Sequence, residues 1–171
     1  FSTAFGYSTN AQGTISTAMG LSTNASGYAA TAMGFNSLAS GNYSTATGYL
    51  TYAGGYASFS AGEFTYATAD YSTAMGFETI ASGDNSTAMG YYSVASGGYG
   101  AIAMGNGTTA SGDNSTVMGE GGTASGAAST AMGRGTTASD YASLVVGQYN
   151  SSGSTANSPE AFSTSNTAFV V

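Results

Sequence analysis

The side chains that most often perform catalysis or bind metals are scarce in this 171-residue chain. It contains no His and no Cys. A Ser-His-Asp triad, a Cys nucleophile and metal sites built from imidazole or thiolate ligands are therefore excluded, as is a disulfide framework. Carboxylates remain as candidate acid–base groups and as oxygen ligands for a hard cation such as Ca²⁺.

The acidic residues that stand out fall at or near predicted turns. Asp84 and Asp113 occupy equal positions in two Gly-Asp-Asn-Ser-Thr segments, and Glu63, Glu78 and Glu120 also lie close to turns. Their spacing matches neither an EF-hand loop nor the calcium-binding nonapeptide repeat. We interpret them as solvated charges that keep a protein with few charged residues soluble, and the sequence predicts no enzyme activity, no metal site and no cofactor.

Aromatic side chains offer a better candidate for a binding surface. Rings are dense from Tyr49 to Tyr71, and their flat apolar faces and polar rims suit sugar stacking or protein contact. The candidate ligand-contact residues are Tyr49, Tyr52, Tyr56, Phe59, Phe64 and Tyr66. The alternative is that rings at successive turns pack on one another as a ladder.

Composition and charge exclude further classes of function. Charged residues supply 5% of the chain, and eight acidic residues against one base, Arg134, give a formal net charge of -7. Nucleic-acid binding needs clustered Lys and Arg and is excluded. We also expect no signal peptide and no membrane insertion by this segment, because no sufficiently long apolar run occurs. Any targeting or anchoring segment is expected to lie outside it.

Glycine spacing identifies the elements that must position these side chains. One series recurs every 14 residues, with a single step of 15. It comprises Gly6, Gly20, Gly34, Gly48, Gly62, Gly76, Gly90, Gly105, Gly119, Gly133 and Gly147. A second series lies halfway between, from Gly13 to Gly126, with Ala69 and Asp140 as substitutes. Each seven-residue half is too short for a helix and a loop, and predicts a short strand followed by a turn whose Gly accepts positive φ.

Residue parity separates an inner face from an outer face, because side chains alternate along a strand. Ser or Thr, Ala and Gly share one face in both halves, as Ser16, Ala18 and Gly20 do. Such small residues fit a narrow space between two sheets. We predict that this face points inward.

The opposite face of the first half carries a column of Met, which we predict to be a trimer interface. All seven Met residues of the chain lie in it: Met19, Met33, Met75, Met89, Met104, Met118 and Met132. Stacked about 4.8 Å apart, they would form a continuous exposed apolar stripe on a monomer. The alternative is that Met forms the core and the Ala face points outward.

The pattern Ser-Thr-Ala-Met-Gly, followed by Ser/Thr-x-Ala-Ser-Gly, resembles the head repeat of YadA-type trimeric autotransporter adhesins. It is complete in residues 72–83 and 86–97, and the similarity covers about residues 2–147. The usual motif of those heads is Ser-Val-Ala-Ile-Gly, so Thr and Met replace Val and Ile here. The resemblance implies an all-β fold, a left-handed parallel β-roll (β-solenoid) of 14-residue coils, assembled as a homotrimer.

The same repeats occur in phage and viral tail fibres that end in a chaperone domain, and the chain from Leu144 onward resembles the end of such an array. We expect residues 1–147 to form a β-roll head of ten repeats and residues 148–171 an irregular end segment leading into a further strand of a truncated chain. The expected location is extracellular, on a bacterial cell surface or in a virion fibre.

The expected function is structural or adhesive, through multivalent contacts with a host surface glycan or a matrix protein. One alternative is an inert rigid shaft that spaces a separate receptor-binding domain. Another is an ice-binding solenoid with a flat Thr ladder, which is disfavoured because Met19 follows Thr17 on the same face.

Overall fold

The computed structural model describes residues 1–152 and the backbone of residues 169 and 170. The described residues form an all-β parallel solenoid of about ten coils, in which each coil contributes one strand to each of two sheets. The predicted all-β class and the 14-residue coil are confirmed. Most of the end segment predicted for residues 148–171 lies outside the described residues. No helix in the described part of the chain is long and apolar enough to cross a membrane.

The first sheet has twelve parallel strands, five residues long in every coil. We number strands in chain order. This sheet consists of β1 (Thr3–Tyr7), β3 (Thr17–Leu21), β5 (Thr31–Phe35), β7 (Thr45–Tyr49), β9 (Phe59–Glu63), β11 (Thr73–Phe77), β13 (Thr87–Tyr91), β15 (Ile102–Asn106), β17 (Thr116–Glu120), β19 (Thr130–Arg134), β21 (Leu144–Gln148) and the two-residue β22 (Phe169–Val170).

The second sheet has ten parallel strands of two residues each. They are β2 (Asn10–Ala11), β4 (Asn24–Ala25), β6 (Leu38–Ala39), β8 (Tyr52–Ala53), β10 (Tyr66–Ala67), β12 (Ile80–Ala81), β14 (Val94–Ala95), β16 (Thr109–Ala110), β18 (Thr123–Ala124) and β20 (Thr137–Ala138). Because strands pair in register with the equivalent strand of the next coil, each residue type of the repeat forms a straight column.

The interior is built from the small residues, as predicted. The inward-facing Ala residues from Ala18 to Ala138 are fully buried, as Ala74 and Ala81 are, and so are Ser or Thr residues beside them, such as Ser72 and Thr79. All seven Met side chains lie on the outer face instead and are exposed or half-buried. The alternative in which Met forms the core is therefore wrong.

Inner Ser hydroxyls close the turns between the two sheets. Ser16 Oγ donates to the carbonyl oxygen of Gly13 at 2.7 Å, and Ser44 Oγ donates to that of Gly41 at 2.6 Å. A backbone carbonyl buried inside a narrow solenoid needs a partner, because leaving a buried polar group unpaired is unfavourable. Ser16 and Ser44 therefore supply both the small volume and the hydrogen bond, whereas the equivalent hydroxyls of Ser86 and Ser115 have no hydrogen-bond partner among the described residues.

The predicted role of glycine in the turns is corrected by the structure. First-series glycines do have positive φ, between 108° and 134°, but they lie inside the long strands. Second-series glycines lack positive φ. The turns usually place positive φ two residues after the glycine, mostly on another residue type, such as Ala57 at 50° or Tyr43 at 59°.

The glycines of both series pack closely against the backbone of the next coil. A Cβ atom on Gly76 would overlap the carbonyl oxygen of Gly90, and one on Gly41 would overlap that of Gly55. The 15-residue step is absorbed at one turn, where Gly100 takes the positive φ and an isolated bridge pairs Asp84 with Tyr99.

One coil shows how strictly the interior volume is matched. Val117 occupies the inner column that carries Ala in most coils, and Gly122 occupies the facing column that carries Thr108 and Thr136 in the adjacent coils. A Cβ on Gly122 would come within 3.0 Å of Val117 Cγ2 and 3.2 Å of Thr136 Oγ1. The larger side chain on one sheet is therefore accommodated by a missing side chain on the other.

This compensation gives a prediction for a double-mutant cycle. Gly122→Ser should lower the free energy of unfolding by about 1–3 kcal/mol, because it overpacks a closed interior. Val117→Ala in the same chain should recover most of that loss, with a coupling of at least about 0.5 kcal/mol. The measurement is thermal unfolding followed by circular dichroism at one protein concentration. Strictly additive effects of the two substitutions would contradict the compensation.

Candidate functional site

The outer face of the twelve-stranded sheet is a flat surface of two adjacent columns, one of mostly Thr and one of mostly Met. In-register pairing stacks Met75 on Met89, and Met89 on Met104. The most exposed Met residues retain 36–40% of their accessible surface. The Met column is interrupted by Thr47 and Ala61. The structure thus places all seven predicted interface residues on one face.

Aromatic rings form a ladder along one edge of the solenoid. The ring centroids are 5.0 Å apart for Phe35–Tyr49, 5.6 Å for Tyr49–Phe64, 6.1 Å for Phe64–Phe77 and 5.1 Å for Phe77–Tyr91. These distances lie in the range of favourable offset-stacked and edge-to-face pairs. Ladder packing of turn rings, the alternative interpretation of the aromatic residues, is therefore present.

A second ladder runs along the opposite edge and consists of Tyr alone. The centroids are 5.4 Å apart for Tyr28–Tyr43 and Tyr43–Tyr56, and 5.5 Å apart for Tyr56–Tyr71, all edge to face. Asn and Asp side chains support these turns from the next coil, since Asp70 Oδ1 accepts a hydrogen bond from the backbone N–H of Tyr56 at 2.7 Å. The Tyr rings of both ladders are exposed, whereas Phe64 and Phe77 in the first ladder are half-buried.

The six candidate ligand-contact residues are distributed over several surfaces. Tyr49 and Phe64 belong to the first edge, and Tyr56 belongs to the second edge. Tyr52 and Tyr66 are paired neighbours on the outer face of the ten-stranded sheet. Phe59 lies on the outer face of the twelve-stranded sheet, in the Thr column beside the interruption in the Met column. Of the six, the structure brings Phe64 and Tyr66 together in one concave site.

This site is an open groove of about 370 Å³, lined by Phe64, Tyr66, Glu78, Ile80, Tyr92 and Val94. Tyr66, Ile80 and Val94 are consecutive members of one outward column of the ten-stranded sheet. Phe64, Glu78 and Tyr92 are consecutive positive-φ corner residues of the same three coils. The sequence did not lead us to predict Glu78, Ile80, Tyr92 or Val94 as part of this site. The repeat did contain a signal for two of them, because Glu78 and Tyr92 follow Phe64 at intervals of 14 residues.

Tyr92 is held at the rim of the groove by its neighbours. A hydrogen bond to Tyr91, desolvation and the negative charge of Glu78 raise the pKa of Tyr92 to about 12. The ring centroids of Tyr91 and Tyr92 are 4.4 Å apart and nearly perpendicular. The Tyr92 hydroxyl therefore remains protonated, and able to donate a hydrogen bond, across the physiological pH range.

The charges on the described surface are sparse. Arg134 lies beside Glu120, with 3.4 Å between Nε and Oε2, and its Cζ is 5.6 Å from the ring centroid of Tyr149. Among the residues that the structure describes, no three His, Cys, Asp or Glu side chains gather into a group that could hold a metal ion.

Comparison with known families bears on the whole repeat array. The family model described as YadA head domain repeat (2 copies) matches residues 1–23, 25–51, 53–79, 67–93, 81–99, 96–120 and 124–150. The matched segments together span most of the solenoid. No curated protein matches the chain.

Proposed function

This chain belongs to the family of YadA head domain repeats, and on that premise we propose that it mediates attachment as a surface-exposed segment of a trimeric adhesin. The family is one of structural adhesins rather than enzymes. The proposal includes left-handed winding of the coils and a location outside the cell. A bacterial surface is favoured over a virion fibre because the repeats match the adhesin head over most of the array.

The observation that carries the proposal is the outer face of the twelve-stranded sheet. Its Met column runs the length of the solenoid, is partly exposed and is interrupted only at Thr47 and Ala61 before it ends at Val146. Monomeric soluble proteins rarely expose a continuous apolar stripe of this length. Two further copies of the chain, arranged around an axis parallel to the solenoid, would bury the stripe of all three.

Such a trimer leaves the ten-stranded sheet and both aromatic edges facing outward. Tyr52 and Tyr66 would then stand on the attachment surface, repeated three times around the fibre. Weak individual contacts can give firm attachment when they are multiplied in this way, because linked sites raise the effective concentration. Phe59 lies on the Met side, so its expected role changes from ligand contact to packing between chains.

The oligomeric state tests the interface directly. We expect the purified chain to sediment as a trimer. Met89→Glu/Met104→Glu should dissociate it, because six carboxylates would be buried close together without partners. The matched control is Val94→Glu/Thr109→Glu, which adds the same charges to adjacent coils of the other sheet and should leave the trimer intact. A monomeric wild-type chain, or a trimeric Met double variant, would contradict the proposed interface.

Attachment itself is tested by binding of the trimer to immobilised glycans and matrix proteins. We expect at least one of these to be bound, and Tyr52→Ala/Tyr66→Ala to weaken binding at least about tenfold, since the loss per site is multiplied by valency. Thr109→Ala/Thr123→Ala, in the same outward column, should bind as the wild type does. Absence of binding to every probe would instead support an inert shaft.

A further inference from the structure

The groove on the ten-stranded sheet has an arrangement that suits one kind of side chain. The six residues that line it form two rows. Each row contains three residues, one from each of three successive coils. Glu78 is the middle of the corner row, between Phe64 and Tyr92, and Ile80 is the middle of the sheet row, between Tyr66 and Val94. The Glu78 carboxylate therefore lies between the rings of Phe64 and Tyr92, beside a surface formed by Tyr66, Ile80 and Val94 that we call the apolar floor of the groove.

The backbone holds this arrangement in place. The N–H groups of Phe64 and Glu78 donate to carbonyl oxygens of the preceding coil at 3.0 Å and 2.9 Å, and that of Tyr92 does so at 3.0 Å. All three residues have positive φ, between 49° and 53°, which gives their Cα–Cβ bonds a similar direction at the corners. Little ordering is required when a ligand enters, which favours binding.

Guanidinium is the chemical group that matches these features. It pairs with a carboxylate through two parallel hydrogen bonds and stacks on aromatic faces, and its aliphatic stem can lie along an apolar floor. Lysine offers a point charge without the planar surface. A neutral sugar could use the rings but would gain less from the carboxylate, because hydrogen bonds between two charged groups are stronger than those made by a neutral hydroxyl.

The chain itself contains a partial example of this recognition. Arg134 is placed between the Glu120 carboxylate, at 3.4 Å from Nε to Oε2, and the face of Tyr149, at 5.6 Å from Cζ to the ring centroid. Glu120 and Tyr149 belong to the same edge as the groove, and Tyr149 is a corner residue like Tyr92. Carboxylate and corner tyrosine therefore already accommodate an arginine on this surface.

No arginine among residues 1–171 is free to enter the groove of its own chain. Arg134 is the only Lys or Arg side chain in the sequence. It lies four coils from Glu78, roughly 19 Å away at the usual spacing of strands, and it is engaged with Glu120. Residues 1–62 carry no charged side chain, whereas Glu63, Asp70, Glu78 and Asp84 follow within two coils. Glu63 and Glu78 lie on the edge that carries the groove and favour a basic partner there, whereas Asp70 and Asp84 lie at the opposite edge.

We propose that the groove between Phe64, Glu78 and Tyr92 binds an arginine side chain exposed on a partner protein. The inference rests on the proposed attachment function and names the chemistry that the attachment surface recognises. Three copies of the groove in a trimer would engage several arginines of one surface, so that a weak single contact becomes a stable one.

The test uses the purified full chain and a surface coated densely with a short Gly-Ser peptide that contains one Arg. Matched surfaces carry the same peptide with Lys or with citrulline, which has the shape of Arg without its charge. We expect binding to the Arg surface, weaker binding to Lys and none to citrulline. Raising the salt concentration should weaken the Arg interaction, because the pair is exposed to solvent.

Substitutions locate the binding in the groove. Glu78→Gln should reduce binding at least about tenfold, which corresponds to about 1.4 kcal/mol. The matched control is Asp84→Asn, which removes the same charge at the opposite edge and should change binding less than about twofold. Tyr92→Phe should retain binding through its ring, and Tyr92→Ser should lose it. Circular dichroism of each variant confirms that the solenoid is folded.

The outcomes separate this inference from the attachment function. Equal binding to Arg and citrulline surfaces, or full binding by Glu78→Gln, would overturn the arginine site. If the chain nevertheless bound a glycan or a matrix protein without dependence on Glu78, attachment would stand and only the arginine site would fall. Absence of binding to any surface would overturn both.

Discussion

The close approach of backbone at the first-series glycines is the constraint on which the rest of this solenoid depends. From Gly6 to Gly133, the position of a Cβ on the glycine is occupied by the carbonyl group of the glycine in the next coil, as at Gly62 and Gly76. The same residues have a φ that other residue types rarely adopt. This series is glycine throughout, whereas the second series tolerates Ala69 and Asp140.

Tight stacking of coils determines what the interior can contain and where function can lie. The space between the sheets accepts Ala, Ser and Thr, and an additional methyl pair at Val117 is matched by the absent side chain of Gly122. A pocket large enough for a substrate cannot form inside such a core. Recognition must therefore use the outer columns and the corners, where larger residues such as Tyr66 and Tyr92 are found.

Much of this architecture follows from the sequence, because strict periodicity and parity determine which side of a strand each residue occupies. Ala18 and Met19 were placed on the correct faces in this way. Backbone conformation was harder to predict, since φ at Ala57 or Tyr71 depends on how corners stack. The groove was also missed, because Glu78 and Ile80 become neighbours of Phe64 and Val94 only when three coils are superimposed. The six predicted ligand-contact residues were chosen because aromatic residues are frequent in that part of the sequence. Closeness along the sequence does not determine whether two side chains lie on the same surface.

The most direct test of the glycine constraint compares the same substitution at two glycines with positive φ. Gly76 packs against the backbone of Gly90, whereas Gly107 is a corner residue with no atom near the position of its Cβ. The measurement is thermal unfolding of Gly76→Ala and Gly107→Ala at one protein concentration. We predict that Gly107→Ala lowers the free energy of unfolding by about 1–2 kcal/mol, and that Gly76→Ala abolishes the cooperative transition. Equal, small effects of the two substitutions would contradict the account.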